Sequence, residues 1–295
     1  MNAGKLTICL MTICLTAVAV LALGASAARA DWDPMPPDDP QNHKMHYPQM
    51  PDLEDTGLNV YGSDVTDPDY GWAPVWLADD WQCSQSGHVT DIHIWGSYLD
   101  DQVPPADDSD FIGLHLAIFD NIPAGESATG YSMPGEQRWE GFFGPPWGTW
   151  GEPNYSWRHY AESNEGFYDP SRDQIVGSDT QVLQFNVDID EEGAFFQEEG
   201  EVYWLGVQAV IDASGMPKWG WKTSLDHWED DAVWGEGYEV PGAPDWDKMV
   251  YPEGHVLQGE SIDLSFVITP EPATLALMGL GAAGLAAARR RRHHK

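Results

Sequence analysis

The sequence predicts an all-β fold, an antiparallel β-sandwich of jelly-roll-like type, and three observations carry that expectation. Short runs such as VTDIHIWG and IGLHLAIF alternate between two faces, and a period of two is the pattern of a half-buried strand. Gly, Pro and Asp punctuate these runs at short intervals, which is the chemistry of turns between strands. Between the two ends of the chain, no convincing apolar period of helical spacing occurs.

Taken in order, residues 1–30 stand apart from the fold. Lys5 opens them, Leu6 to Leu23 form an apolar run, and Ala28-Arg29-Ala30 is a small-residue cleavage pattern before Asp31. This is the layout of a signal peptide whose helix is removed on export. Residues 31–56, rich in Pro and Asp with no apolar period, read as an extended lead-in that docks only in part. Residues 57–269 form the β-sandwich domain. In VTDIHIWG, Ile92 and Ile94 share one face and Asp91, His93 and Trp95 the other; in IGLHLAIF, Leu114, Leu116 and Ile118 point inward. TQVLQFNVDI, EVYWLGVQAVI, PKWGWKT and SIDLSFVIT supply further strands. VYWLGVQAV is apolar on both faces over part of its length, which places it centrally in a sheet. The last strand, Ser261 to Thr269, runs straight into a tail of residues 270–295.

Charge excludes some partners. Lys5, Arg29, Arg289 to Arg292 and Lys295 lie in the end segments, which leaves the body seven basic residues against 48 acidic ones. Such a field repels phosphate backbones, so the body binds neither nucleic acid nor anionic lipid. Fifteen tryptophans in a chain that is 42% hydrophobic predict a folded domain, because disordered chains are poor in aromatic residues. Only Cys83 remains after signal removal, so no intramolecular disulfide is available. A packed small apolar side chain is its expected role.

The tail has three parts in series: Pro270-Glu271-Pro272, an uncharged stretch from Ala273 to Ala288, and Arg289, Arg290, Arg291 and Arg292. As a helix the stretch measures about 24 Å, slightly short of the ~30 Å hydrocarbon core. Local thinning and snorkelling of Arg289 cover the difference, and the arginines form a cytoplasmic stop under the positive-inside rule. This series resembles the PEP-CTERM sorting signal of Gram-negative bacteria. The resemblance implies recognition of Pro270, Glu271 and Pro272 by exosortase, a membrane protease, with 273–288 as the transmembrane segment. It also implies transient anchoring in the inner membrane, then release or transfer to the cell surface or extracellular space. An uncut tail anchor is the alternative. The body resembles an uncharacterised family of exported bacterial β domains through WLADDWQC, HVTDIHIWGSYLDD, YSMPGEQRW, VYWLGVQA, WGWKTSLDHWEDDAVW and SIDLSFVIT, a likeness that implies no assigned activity.

Three functional readings follow. The first is a surface or extracellular-matrix protein of structural or interaction type. The second is a carbohydrate-binding module. RWEGFFGPPWGTWGEPNYSWRHY packs eight aromatic residues among Gly and Pro, and Trp147, Trp150 and Trp157 are its candidates for stacking on sugar rings of an extracellular polysaccharide; an apolar plug is the competing reading. The third is a polysaccharide-degrading enzyme, which needs a carboxylate pair that the sequence does not single out. His93 and His115 beside Asp91 suggest a shared outward face for a metal or a base. No G-x-S-x-G, H-E-x-x-H or P-loop occurs, so the expectation is no enzyme and no cofactor. Calcium is the one exception. Asp188, Asp190, Glu192, Gly193 and Glu199 fall at positions 1, 3, 5, 6 and 12 of an EF-hand loop, though with Glu at position 5 and strand-like flanks.

Overall fold

The computed structural model describes residues 32, 45, 47–103, 111–144, 155–211, 217–243 and 245–269. The strands are β1 (Leu58–Tyr61), β2 (Val75–Gln82), β3 (Gly87–His88), β4 (Asp91–Tyr98), β5 (Phe111–Ile122), β6 (Met133–Phe143), β7 (Tyr155–Asp169) and β8 (Gln174–Asp188). They continue with β9 (Phe196–Gln197), β10 (Val202–Ile211), β11 (Trp219–Ser224), β12 (Val233–Glu236), β13 (Asp247–Lys248), β14 (Asp263–Leu264) and β15 (Phe266–Ile268). Two three-residue 3-10 turns, Leu99–Asp101 and Glu191–Gly193, are the helical elements among the described residues. None of these residues forms a helix long and apolar enough to cross a membrane. The expected signal and tail helices lie outside the described residues.

A six-stranded sheet runs β13-β12-β2-β10-β5-β6, and a seven-stranded sheet runs β14-β11-β1-β7-β8-β4-β15. The all-β, largely antiparallel expectation holds, with one parallel pair, β1 with β7. β10 sits between β2 and β5, the central place that its two apolar faces demand. Leu77, Leu114, Leu116, Ile118, Leu205 and Val207 from the six-stranded sheet join Val60, Ile92, Ile94, Leu183, Phe185 and Trp221 in one core. The outer face of the six-stranded sheet has its own smaller cluster, in which Trp76, Phe119 and Trp204 are covered by Trp246.

The seven-stranded sheet curls back on itself. β11 pairs with β1 through Asn59↔Lys222 and also with β4 through Gly220↔Ser97. At the other end of β11 the final segment wedges in: β14 pairs with β11, β15 pairs with β4, and the Ser265 N–H donates to the Lys222 carbonyl at 2.8 Å. Close approach of β4 and β11 needs a glycine at position 96, since a Cβ on Gly96 would collide with the Gly220 carbonyl and the Trp219 ring. β7 and β8 form the long hairpin of this sheet. Its turn is built by Asp169, whose carboxylate accepts from Ser171 N at 2.9 Å and Arg172 Nε at 2.6 Å, with Asp173 at φ 52°.

The lead-in docks where the two ends of the domain meet. Gln49 bridges to Phe266 and Pro51 to Ser224, and Gln49 Nε2 donates to buried Asp79 at 2.8 Å. Trp32 is also buried: its carbonyl accepts from Gln184 Nε2 at 2.8 Å and Arg158 Nη2 at 3.0 Å.

Curling of the sheet is testable at Gly96. Gly96→Ala is expected to lower stability by about 1–3 kcal/mol through overpacking, read as a lower urea midpoint. Gly125→Ala, where a Cβ meets nothing within 4 Å, leaves the midpoint unchanged. Equal midpoints for both variants would contradict the close β4–β11 contact.

Candidate functional site

An open cleft of about 500 Å³ lies at the end of the six-stranded sheet. Asp120 and Asn121 of β5, Arg138 of β6, Tyr203 of β10 and, from the segment before it, Phe195, Phe196, Glu198 and Glu201 line it. β5 and β10 are paired at this end through Tyr203↔Asp120, so two adjacent strand ends form the wall. Tyr203 stands edge-on to Phe195 at 5.0 Å, while Phe196 is 51% exposed and meets His88 edge-on. Arg138 holds Asp120 at 3.3 Å and reaches Glu136 at 3.7 Å. The Trp204 indole N–H donates to Asn121 Oδ1 at 2.9 Å, which leaves the amide nitrogen of Asn121 as a donor. The Glu198 N–H donates to the Tyr203 hydroxyl at 3.1 Å. Burial, and behind it the charges of Cys83, Glu198 and Glu201, raise the Tyr203 pKa against the Glu198 N–H that lowers it. The hydroxyl therefore stays a neutral donor and acceptor at physiological pH.

A second polar arrangement is closed to solvent, against the β11–β1–β7–β8 part of the curled sheet. Asn59 lies opposite Lys222, and Glu165 lies opposite Asp179. Lys222 Nζ is 2.5 Å from Glu165 Oε1, with both side chains fully buried. Asn59 Nδ2 donates to Glu165 Oε2 at 2.5 Å and to Asp179 Oδ1 at 2.9 Å. Desolvation lowers the Lys222 pKa against the pull of Glu165, and desolvation raises that of Glu165 against the pull of Lys222. Burial first, then the Glu165 charge, pushes Asp179 up to about 8. The protonated form of Asp179 is thus favoured at neutral pH.

The sequence-selected residues fall in different places. Trp147 and Trp150 lie outside the described residues, as do Pro270, Glu271, Pro272 and Arg289 to Arg292. Trp157 sits on β7 and is 37% exposed; the expected aromatic loop is in part strand, because β6 takes its first residues and β7 its last. The shared histidine face does not form. His93 belongs to β4 in the seven-stranded sheet and His115 to β5 in the six-stranded one. His93 is buried under Trp32, bonding Asn186 Oδ1 at 2.6 Å and Asp91 at 3.2 Å. The acids run from Asp188, the last residue of β8, through a 3-10 turn and β9 to Glu199 ahead of β10, so strands flank them where an EF-hand has helices. Cys83 is buried, and its thiol donates to the Gln85 carbonyl at 3.2 Å.

With these features in place, comparison with protein families is informative. Residues 45–269 match the model of a domain of unknown function, DUF7901, and the chain belongs to that family. Residues 269–292 match the PEP-CTERM protein-sorting motif. This motif marks exported, surface-sorted proteins and implies processing by exosortase. No curated protein and no solved structure matches the chain.

Asp179 makes the domain sensitive to pH. Its folded pKa of about 8 exceeds the usual ~4 of an unfolded aspartate. Stability from this group is complete below about pH 4 and is lost as pH rises through the folded value near 8. Asp179→Asn removes that loss. Its melting temperature should gain on wild type steadily from pH 5 to pH 8 and keep a constant lead above that. A lead independent of pH would show that Asp179 is ionised throughout.

Proposed function

We propose that the protein is a non-catalytic surface or extracellular-matrix component of interaction type, whose cleft holds a neutral polysaccharide. One observation carries the reading: the cleft combines an exposed phenyl ring, Phe196, with hydrogen-bonding groups on Asn121, Arg138 and Tyr203. An aromatic face takes up the C–H face of a sugar ring, and directed donors and acceptors take up its hydroxyls. Asp120, Glu198 and Glu201 outnumber Arg138 in the lining, so an anionic polymer is repelled and a neutral one is not. A second reading places the same ligand class at Trp157, on the observation that this ring is partly exposed on β7.

The sorting signal supports the location. The signal peptide carries the acidic body across the inner membrane, and processing at the Pro-Glu-Pro motif, ahead of an apolar stretch and four arginines, then releases it from its anchor. The polymer outside the cell is the partner this placement makes available.

Two measurements test the proposal. Phe196→Ala should weaken binding to an immobilised neutral glucan or galactan by about tenfold with an unchanged melting temperature. Trp157→Ala should leave binding intact. Binding lost only in the Trp157 variant moves the site to β7, and no binding to any neutral glycan overturns the proposal. Replacing Pro270, Glu271 and Pro272 by alanine should keep Arg289 to Lys295 attached and the protein in the membrane fraction. Release of a shortened variant into the medium would contradict processing at that motif.

A further inference from the structure

Lys222 is an unusual use of a scarce residue. The body has seven basic side chains against 48 acidic ones, yet this amine is fully buried. Room for it is made by Gly57, where a Cβ would collide with Nζ. A buried ion pair gives little net stability over apolar packing, so charge pairing alone does not account for the arrangement.

The geometry is that of two reactants and a proton shuttle. Glu165 touches the amine through Oε1 and the Asn59 amide nitrogen through Oε2, each at 2.5 Å. The two nitrogens are therefore no more than about 7 Å apart, on the two oxygens of one carboxylate. Asn59 and Lys222 are direct partners across β1 and β11, so their Cβ atoms lie about 5 Å apart and the four-carbon lysine stem spans the gap. Apart from Glu165, no acceptor holds Nζ among the described residues, and Asn59 Oδ1 is also buried without a hydrogen bond. We propose that Lys222 and Asn59 form an intramolecular isopeptide bond, with Glu165 as the group that carries the proton between them.

The step balances as follows. Glu165 takes one proton from the Lys222 ammonium, which leaves a neutral amine and a neutral carboxyl. The Nζ lone pair attacks Asn59 Cγ, a C–N bond forms, and the carbonyl oxygen takes the displaced π electrons. The adduct nitrogen gives a proton through Glu165 to the Asn59 Nδ2 nitrogen. As the carbonyl re-forms, the Cγ–Nδ2 bond breaks and ammonia leaves. Glu165 ends with one proton, and a charged pair has become a neutral amide. Burial that weakens the lysine's hold on its proton and raises the glutamate's affinity for one favours the first transfer. Asp179, hydrogen-bonded to the same amide, fixes its position. No oxidant, metal or second protein is required.

The bond would link the first strand of the curled sheet to β11, closing a loop from residue 59 to residue 222. For an exported domain whose body contains one cysteine, it supplies the covalent restraint that a disulfide gives elsewhere.

The test uses the full chain, exported and purified, by mass spectrometry of a proteolytic digest. Wild type is expected to yield a branched peptide joining Asn59 to Lys222, lighter than its two parts by one ammonia. It should also migrate faster than Lys222→Met in a denaturing gel. Lys222→Met, Asn59→Ala and Glu165→Gln are each expected to give linear peptides only. A wild-type digest containing only linear peptides with unmodified Asn59 and Lys222 overturns the bond, whether or not the variants fold. A branched peptide persisting in Glu165→Gln overturns the role of Glu165. Either result leaves glycan binding at Phe196 to stand or fall by its own measurement.

Discussion

The seven-stranded sheet is organised around the pairing of β11 with two partners at once. Trp219, Gly220 and Trp221 meet β4, while Gly220, Trp221 and Lys222 meet β1. This forces the sheet to curl and gives it an inner and an outer character. Apolar residues such as Val60, Ile94 and Trp221 turn to the other sheet and form the core. Their neighbours, alternating along the same strands, turn to the other face. There Asn59, Glu165, Asp179 and Lys222 are removed from water, and each must find its partners within the cluster.

Hydrogen bonding to carboxylates offsets part of the charge of so acidic a domain. Net charge destabilises a folded state by self-repulsion. Some carboxylates are taken into hydrogen-bonded structural roles: Asp169 builds the β7–β8 turn, Asp79 receives Gln49, and Asp101 receives Thr180 N at 2.8 Å and Gln181 N at 2.9 Å. His227 lies 3.1 Å from Asp263, whose hydrogen bond and charge raise the histidine's pKa. The sorting motif marks the chain for export and surface sorting.

Much of the fold was legible from alternation. The runs around Ile92, Leu116, Leu205 and Trp221 are strands, and the residues expected to face inward do so. Val75–Gln82 was not legible, because Asp79 and Asp80 interrupt its pattern; both are buried, since donors distant in sequence, Leu264 N for Asp79 and Asp230 N for Asp80, reach them. The aromatic segment misled in part. Its Gly and Pro residues suggested one loop, yet Trp139 lies on β6, where its indole N–H donates to the Gly193 carbonyl at 2.7 Å. The cleft was invisible because its lining comes from three separate stretches, none with a motif. The buried cluster was hidden for the same reason. Lys222 lies on the face opposite Trp219 and Trp221, where a lysine is ordinarily read as solvent-facing, and only the curl of the sheet encloses it.

The most direct test is an atomic-resolution crystal structure of the mature domain, read at Lys222. The account predicts this side chain enclosed by the curled sheet, continuous density from its Nζ to Asn59 Cγ, and Glu165 in contact with the new amide. A Lys222 side chain extending into solvent, with β11 separated from β1, would contradict both the fold's closure and the chemistry built on it.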